Sequence, residues 1–256
     1  MLILIITMIL VIVYIYVYSK VDSFYLEPII VNNYKFNIEM NRDKIINIDN
    51  EHIAIYEKRN TDRILLVSCG NYGNLDYYFD KIQMFKKLYD YDILCYEYPG
   101  FGIINKEQCI DNCIKETYYW IQYIKNLGYK TFDFMGYSLG GGILIECLRN
   151  YNITFANNIY LVATFSSLSD LLFQTNYGNF IIQGIFLKKD NLNTFCSLKN
   201  IYCNTLYIIH SKDDERIPFN LAIKNYSSNC NFIKNKKFIE IKGNHKDLIF
   251  DPYIKL

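Results

Sequence analysis

The sequence predicts an α/β protein whose mostly parallel sheet carries helices on both faces. Short apolar runs alternate with longer amphipathic stretches along most of the 256 residues. Several runs, such as ILLV at 64–67 and TLYII at 205–209, are almost wholly apolar, which is typical of strands covered on both faces. The composition, 51% apolar and 21% charged, excludes a disordered chain.

The predicted sheet has eight strands in one domain over residues 21–256. The candidate strands are Lys44–Ile48, His52–Tyr56, Arg63–Cys69, Asp92–Tyr96, Thr131–Met135, Asn158–Val162, Thr205–His210 and Lys237–Ile241. Helical patterns lie near 75–89, 107–127, 139–150 and 218–227. The pattern over 107–127 is amphipathic, and Gly128 follows it where a C-cap glycine belongs.

The balance of charge excludes one broad class of partner. With 27 basic and 26 acidic side chains the net charge is +1, so the basic surface that nucleic-acid binding uses is lacking. Three histidines and eight cysteines without a C-x-x-C pair exclude an ordinary zinc site, and we expect neither a metal nor a cofactor. The scattered thiols favour a cytosol-facing domain over a disulfide framework.

The first stretch, MLILIITMILVIVYIYVY at 1–18, carries no charged side chain. As a helix it would be roughly 27 Å long, close to the thickness of a hydrocarbon core. A cleaved signal peptide is the alternative, but the segment lacks a basic start and a small-residue cleavage site. We therefore predict a single-pass membrane anchor over residues 1–20, with the side of the membrane left open.

A nucleophile is predicted where the chain reads GYSLGGG at 136–142. This G-x-S-x-G motif lies after a predicted strand and before a predicted helix, the context that gives the motif meaning. Ser138 is then held in a strained turn, and Gly136 and Gly140 approach neighbouring backbone too closely for a Cβ. The N–H of Leu139, at the positive end of the helix, faces negative charge that develops on a substrate oxygen.

A serine hydroxyl needs a base, and for this elbow the chain order predicts an acid and then a histidine downstream. His52 precedes Ser138, and His210 precedes every good acid candidate. His245 remains, in the stretch GNHKD directly after a predicted strand. We therefore predict His245 as the general base and His210 as a structural histidine.

The acid that orients the histidine is expected after the preceding strand, where three acids stand together at 213–215. Their spacing to Ile217 and Pro218 favours Asp214, with Asp213 as the alternative. A carboxylate there would fix the histidine tautomer and stabilise the imidazolium. Asp213 and Glu215 otherwise fit a solvated turn that caps the next helix.

A second oxyanion donor is expected in the loop after the third strand, SCGNYGN at 68–74. Gly70 and Gly73 allow backbone to approach a ligand closely. We predict that the N–H groups of Asn71 and Leu139 form the oxyanion hole.

Five motifs together resemble the α/β-hydrolase superfamily: CGNYGN at 69–74, YEYPGFG at 96–102, GYSLGGG at 136–142, HSKDDERIP at 210–218 and GNHKD at 243–247. Within it the chain is similar to small membrane-anchored serine hydrolases of the Bem-type and protein-depalmitoylase branch, in which Cys69 would be a histidine. The resemblance implies an α/β-hydrolase fold and a Ser-His-Asp esterase or thioesterase built on Ser138, His245 and Asp214. An N-terminal apolar anchor also occurs in that branch.

The stretch from about 163 to 204 is too long for a simple connection between strands. Its many leucine, isoleucine and phenylalanine residues predict a small cap that offers an acyl chain an apolar wall. The resulting hypothesis is a membrane-tethered serine hydrolase whose partners are acyl-bearing small molecules or S-acylated proteins. A catalytically silent scaffold and an acyltransferase using the same residues are the alternatives, and the oligomeric state is open.

Overall fold

A computed structural model describes residues 2–19, 44–72, 74–174 and 192–248. They contain an eight-stranded sheet made of β1 Ile45–Ile48, β2 His52–Glu57, β3 Arg63–Ser68, β4 Asp92–Tyr96, β5 Thr131–Tyr137, β6 Ala156–Val162, β7 Cys203–Ser211 and β8 Ile233–Ile241. The spatial order is β1-β2-β4-β3-β5-β6-β7-β8. β2 is antiparallel to both of its neighbours, β1 and β4. All other neighbouring strands, β4-β3-β5-β6-β7-β8, are parallel to one another. The predicted α/β class with a mostly parallel sheet is confirmed.

The helices of the described residues are α1 Leu2–Ser19, α2 Leu75–Leu88, α3 Ile110–Lys125, α4 Leu139–Asn150, α5 Leu168–Gln174, α6 Thr194–Ser197 and α7 Phe219–Ser227. Helix α3 begins later than predicted because Cys109 has an extended backbone and caps the helix through its side chain. Its C-cap is Asn126, so Gly128, at φ +82°, lies in the turn beyond the cap.

Both faces of the central strands of the sheet are buried. In β3, Ile64 and Leu66 belong to one apolar cluster, whereas Leu65 and Val67 belong to the cluster on the opposite face. This alternation explains why residues 64–67 of the strand are all apolar.

β8 begins at Ile233, four residues before the predicted start at Lys237. Charged side chains occur at three of the first five positions of this strand, IKNKK, and hide it from a search for apolar runs. An edge strand tolerates them because only part of each side chain is covered.

Helix α1 coincides with the apolar leader, and the side chains described within it, at 6–16, are exposed. Across the described ranges, no helix has both the length and the apolar character needed to cross a membrane, so the predicted transmembrane helix is not found there. Residues 175–191 of the predicted cap and Gly73 of the predicted oxyanion loop lie outside the described residues.

Candidate active site

Three loops meet at the edge of the sheet where the parallel strands end. Ser138 directly follows β5, Asp214 lies just beyond β7, and His245 lies just beyond β8. Only β6 separates β5 from β7, and β8 is the next strand. Residues distant in sequence are therefore neighbours at this edge.

Ser138 occupies a strained turn between β5 and α4. Its backbone lies in the left-handed region, with φ 55° and ψ −120°, an uncommon conformation for a residue with a side chain. The Ser138 N–H donates to the carbonyl of Val162 at 2.9 Å, which ties the turn to the neighbouring strand.

Two glycines of the motif are required by close packing. A Cβ added at Gly136 would lie 2.5 Å from the Cα of Gly141. A Cβ at Gly140 would collide with the carbonyl oxygens of Ser68 and Cys69 at the end of β3. The start of α4 therefore sits directly on the backbone of the sheet, and any larger residue would displace it.

A continuous chain of hydrogen bonds joins the three predicted side chains. The Oγ of Ser138 lies 3.0 Å from Nε2 of His245, and Nδ1 of His245 lies 2.8 Å from Oδ2 of Asp214. With a proton on Nδ1, the imidazole donates to the carboxylate and accepts from the serine hydroxyl. Both His245 (5% exposed) and Asp214 (9%) are shielded from water, which strengthens these interactions.

Asp214, and not Asp213, contacts the imidazole. Burial raises the pKa of Asp214, but its hydrogen bond with His245 and those from the backbone N–H groups of Ile217 and Arg216 outweigh burial, so its pKa lies below the usual value. Asp214 is therefore ionised at neutral pH. Asp213 is exposed, and its own N–H donates to the hydroxyl of Ser211.

Two further residues hold the backbone of His245, and sequence reasoning missed both. The Tyr137 hydroxyl donates to the carbonyl of His245 at 2.7 Å, and the two rings stack with centroids 5.1 Å apart. The carboxylate of Glu215 accepts the N–H of His245 at 2.9 Å, and this bond lowers the pKa of Glu215. Tyr137 occupies a variable position of G-x-S-x-G, and Glu215 was interpreted as part of a solvated turn.

His210 lies beneath the acid. Its imidazole is fully buried, with Nε2 2.9 Å from the carbonyl of Ile217 and 3.5 Å from Asp214. Burial lowers the pKa of His210, so the ring is neutral at neutral pH and donates from Nε2. Nδ1 lacks a hydrogen-bond partner among the described residues, and the structural role of His210 stays a prediction.

The predicted oxyanion loop lies against Ser138, the predicted nucleophile. A Cβ at Gly70 would lie 2.9 Å from the ring of Tyr137 and 3.3 Å from the Cβ of Ser138. The next residue is Asn71, whose N–H was predicted as a donor together with that of Leu139. Both assignments remain predictions.

The described ranges contain no cluster of three or more side chains suited to hold a metal ion.

Solved structures share this fold at low sequence identity. The esterase Pf2001 from Pyrococcus furiosus has a TM-score of 0.64 and 12% identity, covering 86% of this chain and 89% of that chain. Est1E from Butyrivibrio proteoclasticus has a TM-score of 0.61 and 12% identity, covering 81% and 90%. Alpha/beta hydrolase domain-containing protein 10 from mouse has a TM-score of 0.58 and 14% identity, covering 79% and 90%. The fold is therefore that of the α/β-hydrolase superfamily, as predicted.

The chain belongs to the family described as Chlamydia CHLPS protein (DUF818), whose model matches residues 12–249. It is also similar to uncharacterized protein R595 of Acanthamoeba polyphaga mimivirus. The two are 29% identical over 212 residues, which cover 74% of this chain and 69% of the relative. The branch within the superfamily that the motifs indicate stays a prediction.

Proposed function

We propose that this protein is a serine hydrolase that cleaves acyl esters or thioesters through an acyl-enzyme. The observation that carries the proposal is the unbroken hydrogen-bond chain from Ser138 through His245 to Asp214. Such a chain gives a serine hydroxyl both a base and a buried counter-charge for the imidazolium. The esterases with the same fold support the reaction class.

In the first half of the reaction, the Oγ of Ser138 attacks the acyl carbonyl carbon and Nε2 of His245 takes the hydroxyl proton. Asp214 stabilises the imidazolium that forms. The carbonyl oxygen becomes an oxyanion, for which we propose the N–H groups of Leu139 and Asn71 as donors. The imidazolium then protonates the departing alcohol or thiol, and the acyl group stays on Ser138.

In the second half, His245 takes a proton from water as the water oxygen attacks the acyl carbon. The bond between that carbon and Ser138 breaks, the serine regains its proton from His245, and the carboxylic acid departs. An acyltransferase would differ only in this half, since another alcohol or amine would replace water.

A fluorophosphonate probe tests the nucleophile in the full chain. We expect the wild type to be labelled on the tryptic peptide that contains Ser138, and Ser138→Ala to remain unlabelled. Ser227→Ala, at an exposed serine of α7, is the matched control and should be labelled like the wild type. If folded wild-type protein stays unlabelled, the enzyme proposal fails and the silent-scaffold alternative takes its place.

The substrate class needs a separate measurement. Hydrolysis rates on p-nitrophenyl esters and acyl thioesters of increasing length would define the leaving group and the acyl chain. Product analysis with and without an added alcohol would separate hydrolysis from transfer. An ester of that alcohol as the main product would overturn the hydrolase assignment in favour of the transferase.

We also propose that the apolar leader at 1–18 holds the domain at a membrane. Its support is the exposure of the side chains at 6–16, all apolar or aromatic apart from Thr7. The full chain should float with phosphatidylcholine vesicles, whereas a chain lacking residues 2–19 should not. If both proteins sediment equally and neither floats with the vesicles, the proposed tether is overturned. A carbonate wash of the floated vesicles would distinguish surface binding from insertion.

A further inference from the structure

Two thiols lie together beneath the loop that leads to Asn71. Cys69 follows β3 and Cys95 lies in the neighbouring strand β4, where it pairs with Val67. Their Sγ atoms are 3.1 Å apart, and both are free cysteines in this structure. Cys69 stands where the predicted branch has a histidine, and the proposed reaction uses neither thiol.

We propose that Cys69 and Cys95 are a modification site that a small hydroperoxide converts into a disulfide, and that this disulfide lowers the reactivity of Ser138. A disulfide has an S–S distance of about 2.05 Å, so the sulfur atoms need to approach by roughly 1 Å. Because β3 and β4 are hydrogen-bonded neighbours, the pair needs no large rearrangement to meet.

The disulfide forms in two steps. The Cys69 thiolate attacks one peroxide oxygen, the O–O bond breaks, and sulfenic acid forms while hydroxide leaves and takes a proton to become water. Cys95 then attacks the sulfenic sulfur, an S–S bond forms, and a second water leaves. Overall, two thiols are oxidised and one molecule of hydrogen peroxide is reduced to two waters; an organic hydroperoxide would give one alcohol and one water instead. Cys69 reacts first because it is 5% exposed and Cys95 is fully buried.

Burial also sets the rate of this modification. Burial raises the pKa of the Cys69 thiol well above its ordinary value, so little thiolate is present at neutral pH. Exposed Cys196 should therefore be oxidised before the pair. The Cys69–Cys95 disulfide would therefore form only during sustained exposure to an oxidant, whereas a brief exposure would leave both thiols reduced.

The backbone contacts of Cys69 link the pair to the active site. Its carbonyl accepts the hydroxyl of Tyr98 at 3.2 Å and lies where a Cβ on Gly140 would have to go. Gly70, the next residue, lies against Tyr137 and Ser138. Drawing Cys69 toward β4 therefore shifts the start of the oxyanion loop relative to Ser138. This effect on reactivity rests on the proposed function, and a displacement near 1 Å can lower a rate by orders of magnitude.

Peptide mapping tests the disulfide without any assay of activity. Trypsin places Cys69 on peptide 64–81 and Cys95 on peptide 88–106, each with a single cysteine. The full chain carrying Cys196→Ala would be treated with hydrogen peroxide, denatured, alkylated and digested without reductant. We expect the two peptides linked, at a mass two hydrogens below their sum, and separated by dithiothreitol. Recovery of both as alkylated peptides would overturn the proposal.

The labelling rate of Ser138 tests the consequence in the same samples. Peroxide should lower the fluorophosphonate rate at least tenfold, and dithiothreitol should restore it. Cys95→Ala should keep its own untreated rate after peroxide, with circular dichroism and thermal melting as checks of folding. If that variant does not fold, reversal by dithiothreitol in the parent protein still decides the outcome.

The possible failures are distinguishable. If the disulfide forms and the labelling rate of Ser138 does not change, the proposed effect of the disulfide on Ser138 is overturned. Absence of labelling before any peroxide would overturn the proposed function, while the peptide map would still decide whether the pair forms a disulfide.

Discussion

Two buried aspartates at opposite ends of the sheet have different surroundings and different consequences. Asp133 lies near the start of β5 and is fully buried, whereas Asp214 lies beyond the end of β7 and is 9% exposed. Both are carboxylates within the protein, where an ionised group is stable only if its hydrogen bonds are satisfied.

Asp133 accepts hydrogen bonds from four residues on surrounding segments: Arg63, Tyr91, Asn157 and the backbone N–H of Asn158. These hydrogen bonds connect β5 to its two neighbouring strands, β3 and β6. Asp214 instead accepts from the imidazole of His245, which in turn reaches the hydroxyl of Ser138. Burial is common to the two carboxylates, so the partner at the far end of each network determines what it can do.

The largest effect is expected from Asp214→Asn. The amide cannot stabilise an imidazolium and favours the wrong tautomer of His245, so the Ser138 labelling rate should fall about 10³–10⁴-fold. Stopped-flow or gel-based labelling measures this rate, and urea unfolding gives the stability. A fall below tenfold in a folded variant would show that Asp214 does not support the base. Asp213→Asn is the matched control and should keep its labelling rate within about twofold.

Asp133→Asn should give the opposite result. The variant keeps the shape but replaces an acceptor by a donor inside a network of donors, so the free energy of unfolding should fall by about 3 kcal/mol. Its labelling rate, corrected for the folded fraction at low temperature, should stay within about threefold of the wild type, since the network does not reach Ser138. A loss of labelling in folded protein would contradict the separation of the two ends.

Tyr137→Phe tests how strongly the backbone of His245 must be held. The ring stacking remains, but the hydrogen bond to the His245 carbonyl is lost, so we expect a roughly tenfold lower kcat with little change in KM. Ester hydrolysis kinetics measure both constants. Tyr226→Phe, at an exposed tyrosine of α7 that packs against Phe238, serves as control. Equal losses in both variants would remove the positioning role of Tyr137.

The smallest effect concerns the dependence of stability on pH through His210. Its folded-state pKa lies below the ordinary 6.5, so the unfolded chain binds the proton first as pH falls. The stability that neutral His210 contributes is therefore complete above about pH 6.5 and is lost as the pH falls toward the lowered folded-state pKa. Urea unfolding of the wild type from neutral pH to about pH 5 should show a steeper loss than His210→Gln. Parallel curves would contradict this linkage.

The order of residues along the chain predicted much of the candidate site. Ser138 has a distinctive motif between a strand and a helix, and elimination among three histidines selected His245. The choice between the neighbouring acids Asp213 and Asp214 was harder, because it depends on the direction in which the turn orients each side chain. That direction depends on the N–H groups of Arg216 and Ile217, which donate to the carboxylate of Asp214.

The residues that sequence reasoning missed share one property. Tyr137 and Glu215 act on the backbone of His245, so no pairing of reactive side chains in the sequence points to them. The crossed strand order, with β4 between β2 and β3, was equally hidden, since β3 and β4 are both buried strands with similar apolar sequences. Contacts between segments far apart in sequence determine these features.

The close packing of Gly140, at the start of α4, against the backbone at the end of β3 also limits which positions near Ser138 can be substituted. Since Gly136 and Gly140 leave no space for even a methyl group, the turn that carries Ser138 is held tightly against the sheet. Mutations that alter substrate preference are therefore expected in surrounding loops, where change is tolerated.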